Sequence, residues 1–523
     1  MANIAIKENM EWPPINPLRW KVMEHSAWYS GDPNILANYY EQVAANNVFG
    51  LPFVVDKDLF WGRQLKNDIE TAVHVPIAGD IASTSADLLF SEHPQIKVVE
   101  AHQENAPESA KVTQENLELM LNKSGFFRRI IETAETVAAV GGGFIKIAWD
   151  RELSEYPIPV VEQIDDALPH FKFGILTSVT FWKDIKVDDQ NKKCYRLLET
   201  YNNDGSIIYQ LFQGTMDRLG YEIDLNYLEE TKGIQNITTN IKDILAVYIP
   251  NILPNRYFRG SFLGRSDYAG IEGMMASLDE VFSSWIKDII LAQAKVYIPE
   301  SFLQKDERSG FKFNVDQLMY TQLDMDPTIE GDKITLQQFE IRAEQFEKTS
   351  LNLLDRIISS AGYSPQSFGL EIDGRAESGT ALLVRERKSL STKSKKESYW
   401  EPSLKKIIKL MLVVYKTLLK GKVDPNVEIT TQFSDTITND VSEISESLSK
   451  ITQAVAASTE TKVRILHPDW SEDEVQAEVS LILEENNMAP MEDPDKIGAN
   501  FEFNEEEDSD DDEGQGEVDE GEE

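Results

Sequence analysis

Cysteine is almost absent from the 523 residues, since Cys194 is the only one. A single cysteine excludes an intrachain disulfide framework and any zinc site built from cysteines, and it fits a reducing compartment or one indifferent to redox. Hydrophobic residues make up 41% of the chain and aromatic residues 9%, enough to bury large cores. We therefore expect two to four domains that are held together by packing.

Sequence motifs for catalysis are also lacking. There is no phosphate-binding G-x-x-x-x-G-K-[ST] loop, and the six histidines form neither H-E-x-x-H nor a pair four residues apart. The triple glycine 141–143 is better read as a tight helix-to-strand turn than as a nucleotide loop. We predict no enzymatic activity, no cofactor and no metal. Adjacent acids such as Asp165 and Asp166 keep one alternative open, a carboxylate-based, metal-dependent packaging nuclease.

Long apolar runs are missing as well. The longest stretch near a helix, Ile407 to Tyr415, is interrupted by Lys409 and is too short to cross a bilayer. The first residues, MANIAIKENMEW, lack a basic region followed by an apolar one. We expect no secretory signal and no membrane partner.

Basic residues are scarce: 51 Lys and Arg stand against 90 Asp and Glu, a net charge of −39. This balance excludes a protein that grips nucleic acid with its whole surface. Residues 502–523 hold fourteen acids and no base. We predict a disordered acidic tail over 489–523. A docking strip for a basic partner, or a brush that repels DNA, is the alternative interpretation of this tail.

One segment reverses the charge balance. Residues 375–420 contain twelve Lys or Arg and only four acids. The pattern predicts a long helix, kinked near Pro402 and ended by Gly421. Its basic side chains either form a solvated surface that neutralises nearby acids or have an internal or DNA-facing role.

The remaining pattern predicts an α+β protein. A helix from about Ala110 to Val140 should feed a strand, and several antiparallel strands should lie between Ile158 and Pro250. Two further long helices are predicted at 268–296 and about 340–361, joined by a small module with strand and turn signals.

Five segments, taken in order, resemble the portal proteins of tailed bacteriophages. The resemblance covers roughly residues 30–488. The segments are IASTSADLLFSEHPQIKV, AETVAAVGGGFIKIAWD, FLGRSDYAGIEGMMASLDEVFSSW, ISSAGYSPQSFGL followed by GRAESGTALLVRERKS, and TETKVRILHPDWSEDEVQAEVSLILEE.

This resemblance implies a homo-oligomeric ring, a dodecamer in most of the family, at one vertex of the capsid. Double-stranded DNA would pass through it during packaging and ejection, with weak, sequence-independent contacts. Terminase, the major capsid or scaffold protein and head-tail connector proteins would be its partners. The ring would assemble in the host cytoplasm and remain in the virion.

The family's parts can be assigned along the chain in order. They are an N-terminal arm (1–29), an α+β wing (30–255), a linker and first stem helix (256–296), a clip (297–339), a second stem helix (340–361), a tunnel loop (362–374), a long kinked wing helix (375–426), a crown (427–488) and the acidic tail (489–523).

Three sets of residues carry the site prediction. The tunnel loop is expected to face DNA through Gly362, Phe368, Gly369, Glu371, Asp373 and Gly374. The basic helix carries Arg385, Arg387, Lys388, Lys393, Lys395 and Lys396. The stem is expected to pack through Leu278, Phe282, Trp285, Ile289, Leu353, Leu354 and Ile357.

An alternative from another class is an acidic scaffold or chaperone-like assembly protein, which would explain the tail without a closed ring. A portal protein should form rings and cut no DNA, whereas the nuclease alternative should cut DNA in Mg²⁺.

Overall fold

The computed structural model describes two compact units, Met1–Thr436 and Ile437–Glu523, which we treat separately. The described residues are 6–14, 17–45, 60–63, 72–102, 106–188, 190, 192–292, 295–299, 305–306, 310–311, 320–323, 335–337, 341–370, 379–433, 448–454, 457–467, 470 and 472–488.

Helices and mostly antiparallel sheets make up the first unit, which confirms the predicted α+β class. Its helices are α1 (Pro17–Tyr29), α2 (Pro33–Ala45), α3 (Phe60–Arg63), α4 (Ile77–Phe90), α5 (Glu108–Lys123), α6 (Phe126–Val140), α7 (Glu272–Leu291), α8 (Ala343–Ala361) and α9 (Gly379–Thr417).

Five sheets accompany these helices. Their strands are β1 (Gln95–Val98), β2 (Gly142–Ala148), β3 (Ile158–Gln163), β4 (Ala167–Lys172), β5 (Ile175–Asp188), β6 (Lys193–Asn202), β7 (Ser206–Thr215), β8 (Arg218–Ile223), β9 (Ile237–Thr238), β10 (Ala246–Pro250), β11 (Lys295–Pro299), β12 (Lys305–Asp306), β13 (Gly310–Phe311), β14 (Tyr320–Leu323), β15 (Thr335–Gln337) and β16 (Ile429–Gln432).

The largest sheet has the order β4-β5-β6-β7-β8, with β9 added beside β7. All of its strand pairs are antiparallel, as the pattern between Ile158 and Pro250 predicted. A smaller sheet has β2 between β10 and β3. In the segment between α7 and α8, β11 pairs with β14 in parallel and with β15 in antiparallel orientation.

The single helix predicted from Ala110 to Val140 is wrong, because two helices occupy this stretch. Gly125 separates them with a left-handed φ of 69°, a conformation that a continuous right-handed helix cannot include. The triple-glycine turn is confirmed. Gly141 has a φ of 96°, and a Cβ on it would come within 2.8 Å of the backbone of Arg265.

The helix predicted at 268–296 is shorter in the structure, Glu272–Leu291. Gly270 has a φ of 95°, and the buried Tyr268 donates its hydroxyl hydrogen to the His25 carbonyl oxygen at 2.9 Å. These features keep the residues before Glu272 in a turn. In α9, by contrast, the helix continues through Pro402 over 39 residues. The kink at Pro402 stays a prediction.

Two large hydrophobic cores lie in the described part of the first unit. One lies where the second half of α9 packs on β2 and β10, and it includes Trp400, Ile407 and Phe144. The other gathers α2, α4, α7 and α8 around residues such as Tyr268 and Leu278. The first half of α9 contacts the predicted tunnel loop, whereas its second half lies in the first of these cores.

The second unit contains helices Thr459–Leu466 and Glu472–Met488. The side chain of Ser458 caps the first helix by accepting a hydrogen bond from the Thr461 amide at 3.2 Å. Val463 and Val475, one in each helix, are buried.

Candidate functional site

The predicted tunnel loop starts with a tightly structured segment. Helix α8 ends at Gly362, whose φ of 105° is the left-handed conformation typical of a C-cap glycine. A short 3-10 helix, Pro365–Phe368, follows and is closed by Gly369 at a φ of 71°. Glycine is needed at both positions because the backbone is left-handed there. The other predicted loop residues, Glu371, Asp373 and Gly374, lie outside the described residues.

Helix α9 holds this segment through side-chain hydrogen bonds. The Ser364 amide donates to Ser389 Oγ at 2.8 Å, and the hydroxyls of Ser367 and Ser389 are also 2.8 Å apart. Thr392 Oγ1 donates to the Gly362 carbonyl oxygen at 2.5 Å. Residues 362–368 are therefore fixed to α9, and glycine mobility does not describe this part of the loop.

Phe368, expected to touch another loop or the DNA, packs inward within this chain. Its ring contacts Tyr363 edge to face at 6.1 Å, and it lies half-buried against the second core. Such a packed ring has limited freedom to meet a duplex.

A buried polar cluster around Asp267 connects four parts of the fold. One carboxylate oxygen of Asp267 accepts from Lys396 Nζ at 2.5 Å and from the Tyr363 hydroxyl at 2.7 Å. The other accepts from Asn251 Nδ2 at 2.8 Å. Lys396 Nζ also reaches Ser85 Oγ on α4. The cluster thus joins α9, α4, the loop and the strand-to-helix linker.

Burial determines the ionisation tendencies in the Asp267 cluster. Burial lowers the pKa of Lys396, and the neighbouring Asp267 carboxylate opposes this effect. Burial also raises the pKa of Tyr363 well above its ordinary value, with Asp267 acting in the same direction. Tyr363 is therefore a neutral hydrogen-bond donor, and Lys396 depends on Asp267 to remain charged.

The basic helix is not uniformly exposed. Lys393 and Lys396 are buried, with Lys393 Nζ at 3.7 Å from Glu397, so a solvated surface does not describe them. Arg387 and Lys395 are exposed. Lys388 is exposed and donates a hydrogen bond to the Ser359 carbonyl oxygen of α8. The side chain of Arg385 is outside the described part. Lys396 has the internal role that the sequence left open.

The predicted stem residues divide between core and surface. Leu278 and Ile357 are buried, whereas Phe282, Leu353 and Leu354 are half-buried against the second core. Trp285 on α7 stacks on Phe346 of α8, with 5.9 Å between ring centroids. Ile289 is 42% exposed, so the packing predicted for it stays a prediction.

Sequence reasoning missed two buried acids on α7. Glu272 accepts from His25 Nε2 at 2.9 Å, from the Tyr257 hydroxyl at 2.9 Å and from Lys21 Nζ at 3.4 Å. Burial opposes the ionisation of Glu272, but the hydrogen bond and charge of His25 and the charge of Lys21 outweigh it and lower the pKa of Glu272 to about 2. Glu272 therefore stays ionised and links α1 to α7.

Asp279 lies two turns further along α7 and binds the chain that leads into α4. Its carboxylate accepts from Trp61 Nε1, from the Val75 amide and from His74 Nδ1, all at 2.8 Å. In the sequence, the one sign that Glu272 and Asp279 are buried is that both interrupt the apolar side of a predicted helix.

Among the described residues, no group of three or more His, Cys, Asp or Glu is arranged to hold a metal ion. In the same part of the chain, no helix is long and apolar enough to span a membrane.

With the fold and the packed helical pair α7–α8 described, comparison with known families identifies the class of this chain. Residues 17–491 match the family described as "Phage portal protein, SPP1 Gp6-like". The chain belongs to this family of phage portal proteins. The comparison with curated proteins found no match.

Among solved structures, components of gene transfer agent particles are similar to this chain at 10% identity. The neck of the empty particle, computed with C6 symmetry, has a TM-score of 0.38 over 75% of this chain and 90% of the other. The neck of the native particle, computed with C12 symmetry, has a TM-score of 0.33 over 74% and 90%. The native virion gives 0.35 over 88% and 95%.

Proposed function

We propose that the chain forms a closed homo-oligomeric ring, of twelve subunits as in most of the family, that conducts double-stranded DNA at one capsid vertex. The observation that carries this proposal is the exposed apolar end of α7, within a chain that belongs to the portal family. The ring binds terminase during packaging and head-tail connector proteins afterwards. It contacts the major capsid or scaffold protein, assembles in the host cytoplasm and has no catalytic activity of its own.

The parts of the ring follow the order inferred from the sequence. They are wing (30–255), first stem helix (256–296, with its linker), clip (297–339), second stem helix (340–361), tunnel loop (362–374), wing helix (375–426) and crown (427–488), with residues 1–29 as an arm and 489–523 as an acidic tail.

The exposed end of α7 is apolar. Ile286, Ile289 and Ile290 recur at three- and one-residue spacing and are each more than a third exposed. Leu351 on α8 is exposed to a similar extent. Contiguous apolar surface of this kind marks interaction sites, and a neighbouring subunit that covers it would gain hydrophobic stabilisation.

Replacing Ile286, Ile289 and Ile290 together by serine should abolish ring formation at micromolar protein concentration. Each isoleucine that a neighbour covers contributes about 1 to 2 kcal/mol to the contact, and the loss recurs in every subunit. Sedimentation velocity would measure the effect as a shift from rings to monomers.

The matched control is Leu119→Ser, which removes a similarly exposed leucine from helix α5. This variant should form rings as the wild type does. Rings of normal yield from the triple-serine variant would show that the exposed end of α7 is not the subunit contact.

The charge of the chain suits a conduit. Each Lys or Arg that binds a phosphate releases a counterion, which strengthens the binding of DNA and so hinders its sliding through the channel. A chain with a net charge of −39 has few such contacts to offer. Two of the lysines on the basic helix, Lys393 and Lys396, are withdrawn into the protein. Glu371 and Asp373, the acids of the proposed tunnel loop, would likewise repel the phosphates of DNA.

Replacing Glu371 and Asp373 by lysine should leave rings intact but slow or stall genome packaging, most strongly at low salt. Each lysine adds a favourable phosphate contact in every subunit, and such contacts weaken as salt rises. The measurement is the length of packaged DNA at several salt concentrations. Glu152→Lys combined with Glu155→Lys, on an exposed turn, is the control. Full-length packaging by the loop variant would exclude a DNA contact, and loss of rings would indicate a buried connector.

A further inference from the structure

An apolar tip projects at one edge of the large sheet. Phe173 and Ile175, on either side of Gly174 in the β4–β5 turn, are 90% and 68% exposed. Phe262, from the linker before α7, is 44% exposed and lies against this turn, since a Cβ on Gly174 would be 3.4 Å from its ring. We call Phe173, Ile175 and Phe262 the tip. Three large apolar groups from two segments form one patch in solvent.

The surroundings of the tip are basic, although the chain as a whole is acidic. Lys172 Nζ lies 5.9 Å from the centre of the Phe173 ring, and Arg256 and Arg259 are in the segment that leads to Phe262. Arg256 and Arg259 are exposed, and neither forms an ion pair with a residue that the structure describes. A partner for the tip must therefore supply apolar or aromatic surface together with negative charge.

The opposite edge of the same sheet has those properties. We call the exposed residues Tyr221, Glu222, Tyr227, Glu229 and Glu230 the acidic edge. They lie on β8 and the turn that follows it, and the two tyrosines are each 61% exposed. The Tyr227 ring stacks on that of Tyr195 with 5.9 Å between centroids, which holds it in place.

Tip and acidic edge are well separated within one chain. The sheet order puts β4 and β8 at its two ends, four strand spacings apart, or about 19 Å. They cannot contact each other in the same subunit, but they suit a head-to-tail contact between two subunits, which joins two different faces.

We propose that the tip of one subunit docks on the acidic edge of the next copy of this chain. The inference rests on the ring of the proposed function and adds a contact to it. Phe173 and Phe262 pack against Tyr221 and Tyr227, and the guanidinium of Arg259 pairs with the carboxylates beside them. A duplex DNA partner fits less well, because the duplex surface is dominated by phosphates and its base faces are stacked inside, where groups such as Phe173 do not reach them without distorting the duplex.

A disulfide test reads the contact directly. The only cysteine, Cys194, is buried, so it does not compete. Phe173→Cys combined with Tyr221→Cys should give a ladder of covalent multimers on mild oxidation, because cysteines more than about 7 Å apart in one chain cannot join. Each single variant should stay monomeric on a denaturing gel. Leu153→Cys with Tyr221→Cys, from an exposed turn elsewhere, should give no ladder.

A charge-swap test measures the contribution to assembly. Arg259→Glu and Glu230→Lys should each raise the protein concentration needed for rings by about tenfold, and the double variant should restore it. Lys192→Glu, on an exposed turn of the same sheet, should have no effect. Thermal melting of each variant shows whether it is folded.

The outcomes separate this inference from the ring itself. A wild-type chain that never forms rings contradicts the proposed function. Wild-type rings with no disulfide ladder and no effect of the charge variants overturn the tip contact alone. Rings that are unaffected while Arg259→Glu weakens DNA binding also overturn it and assign the basic surface to DNA.

Discussion

Replacing Lys396 by methionine is expected to lower the free energy of unfolding by about 3 to 5 kcal/mol, as the loss of one partner from a buried ion pair does. The side chain is 1% exposed, and its ammonium lies 2.5 Å from the Asp267 carboxylate. Methionine fills similar space, but it leaves the carboxylate buried without a counter-charge. Tyr363 and Asn251 still donate hydrogen bonds to Asp267, so we expect the loss to fall at the lower end of this range.

Urea-induced unfolding of Lys396→Met against wild type measures this difference. The control is Lys395→Met, at the exposed neighbouring position, which should change stability by no more than about 0.5 kcal/mol. Asp267→Asn should also lower the free energy of unfolding, because it leaves the buried Lys396 without a counter-charge. A Lys396→Met variant as stable as the Lys395→Met control would contradict the structural role of the pair.

Lowering the pH should reduce the free energy of unfolding of the wild type more than that of Glu272→Gln, because only the wild type has an ionised carboxylate at position 272 to protonate. The pKa of Glu272 is about 2 in the folded chain against an ordinary value of 4.5. A depressed folded pKa contributes stability that is fully present above 4.5 and is lost as the pH falls to about 2. This difference corresponds to about 3 kcal/mol at neutral pH.

The measurement is the midpoint of urea unfolding between pH 6 and pH 2. Wild type should lose stability steeply over this range, whereas Glu272→Gln should start lower at pH 6 and fall less. Glu347→Gln, at an exposed position on α8, should follow the wild-type curve. Parallel curves for wild type and Glu272→Gln would show that Glu272 is not held ionised by His25 and Lys21.

Secondary structure was largely predictable from the sequence because it depends on local pattern. The apolar spacing around Leu278 and Ile357 predicted α7 and α8, and α9 follows its predicted range across Pro402. The errors were local as well. Gly125 divides a predicted helix, and Gly270 delays the start of another, since a left-handed glycine leaves little trace in hydrophobic periodicity.

The polar clusters were not predictable in the same way. Asp267 and Lys396 are 129 residues apart in sequence, and Glu272 and Lys21 are 251 apart. In a chain with 90 acids, nothing in the pattern marks the few that become buried, because solvation is the ordinary state of a charged side chain. Only the tertiary contacts reveal which acids connect segments of the fold.

Electron microscopy of the purified full-length chain in negative stain tests the central claim most directly. The ring proposal predicts closed rings without nucleic acid, uniform in subunit number, with an axial opening wide enough for duplex DNA. Particles that remain monomers or dimers at micromolar concentration, or that form open filaments, would contradict it.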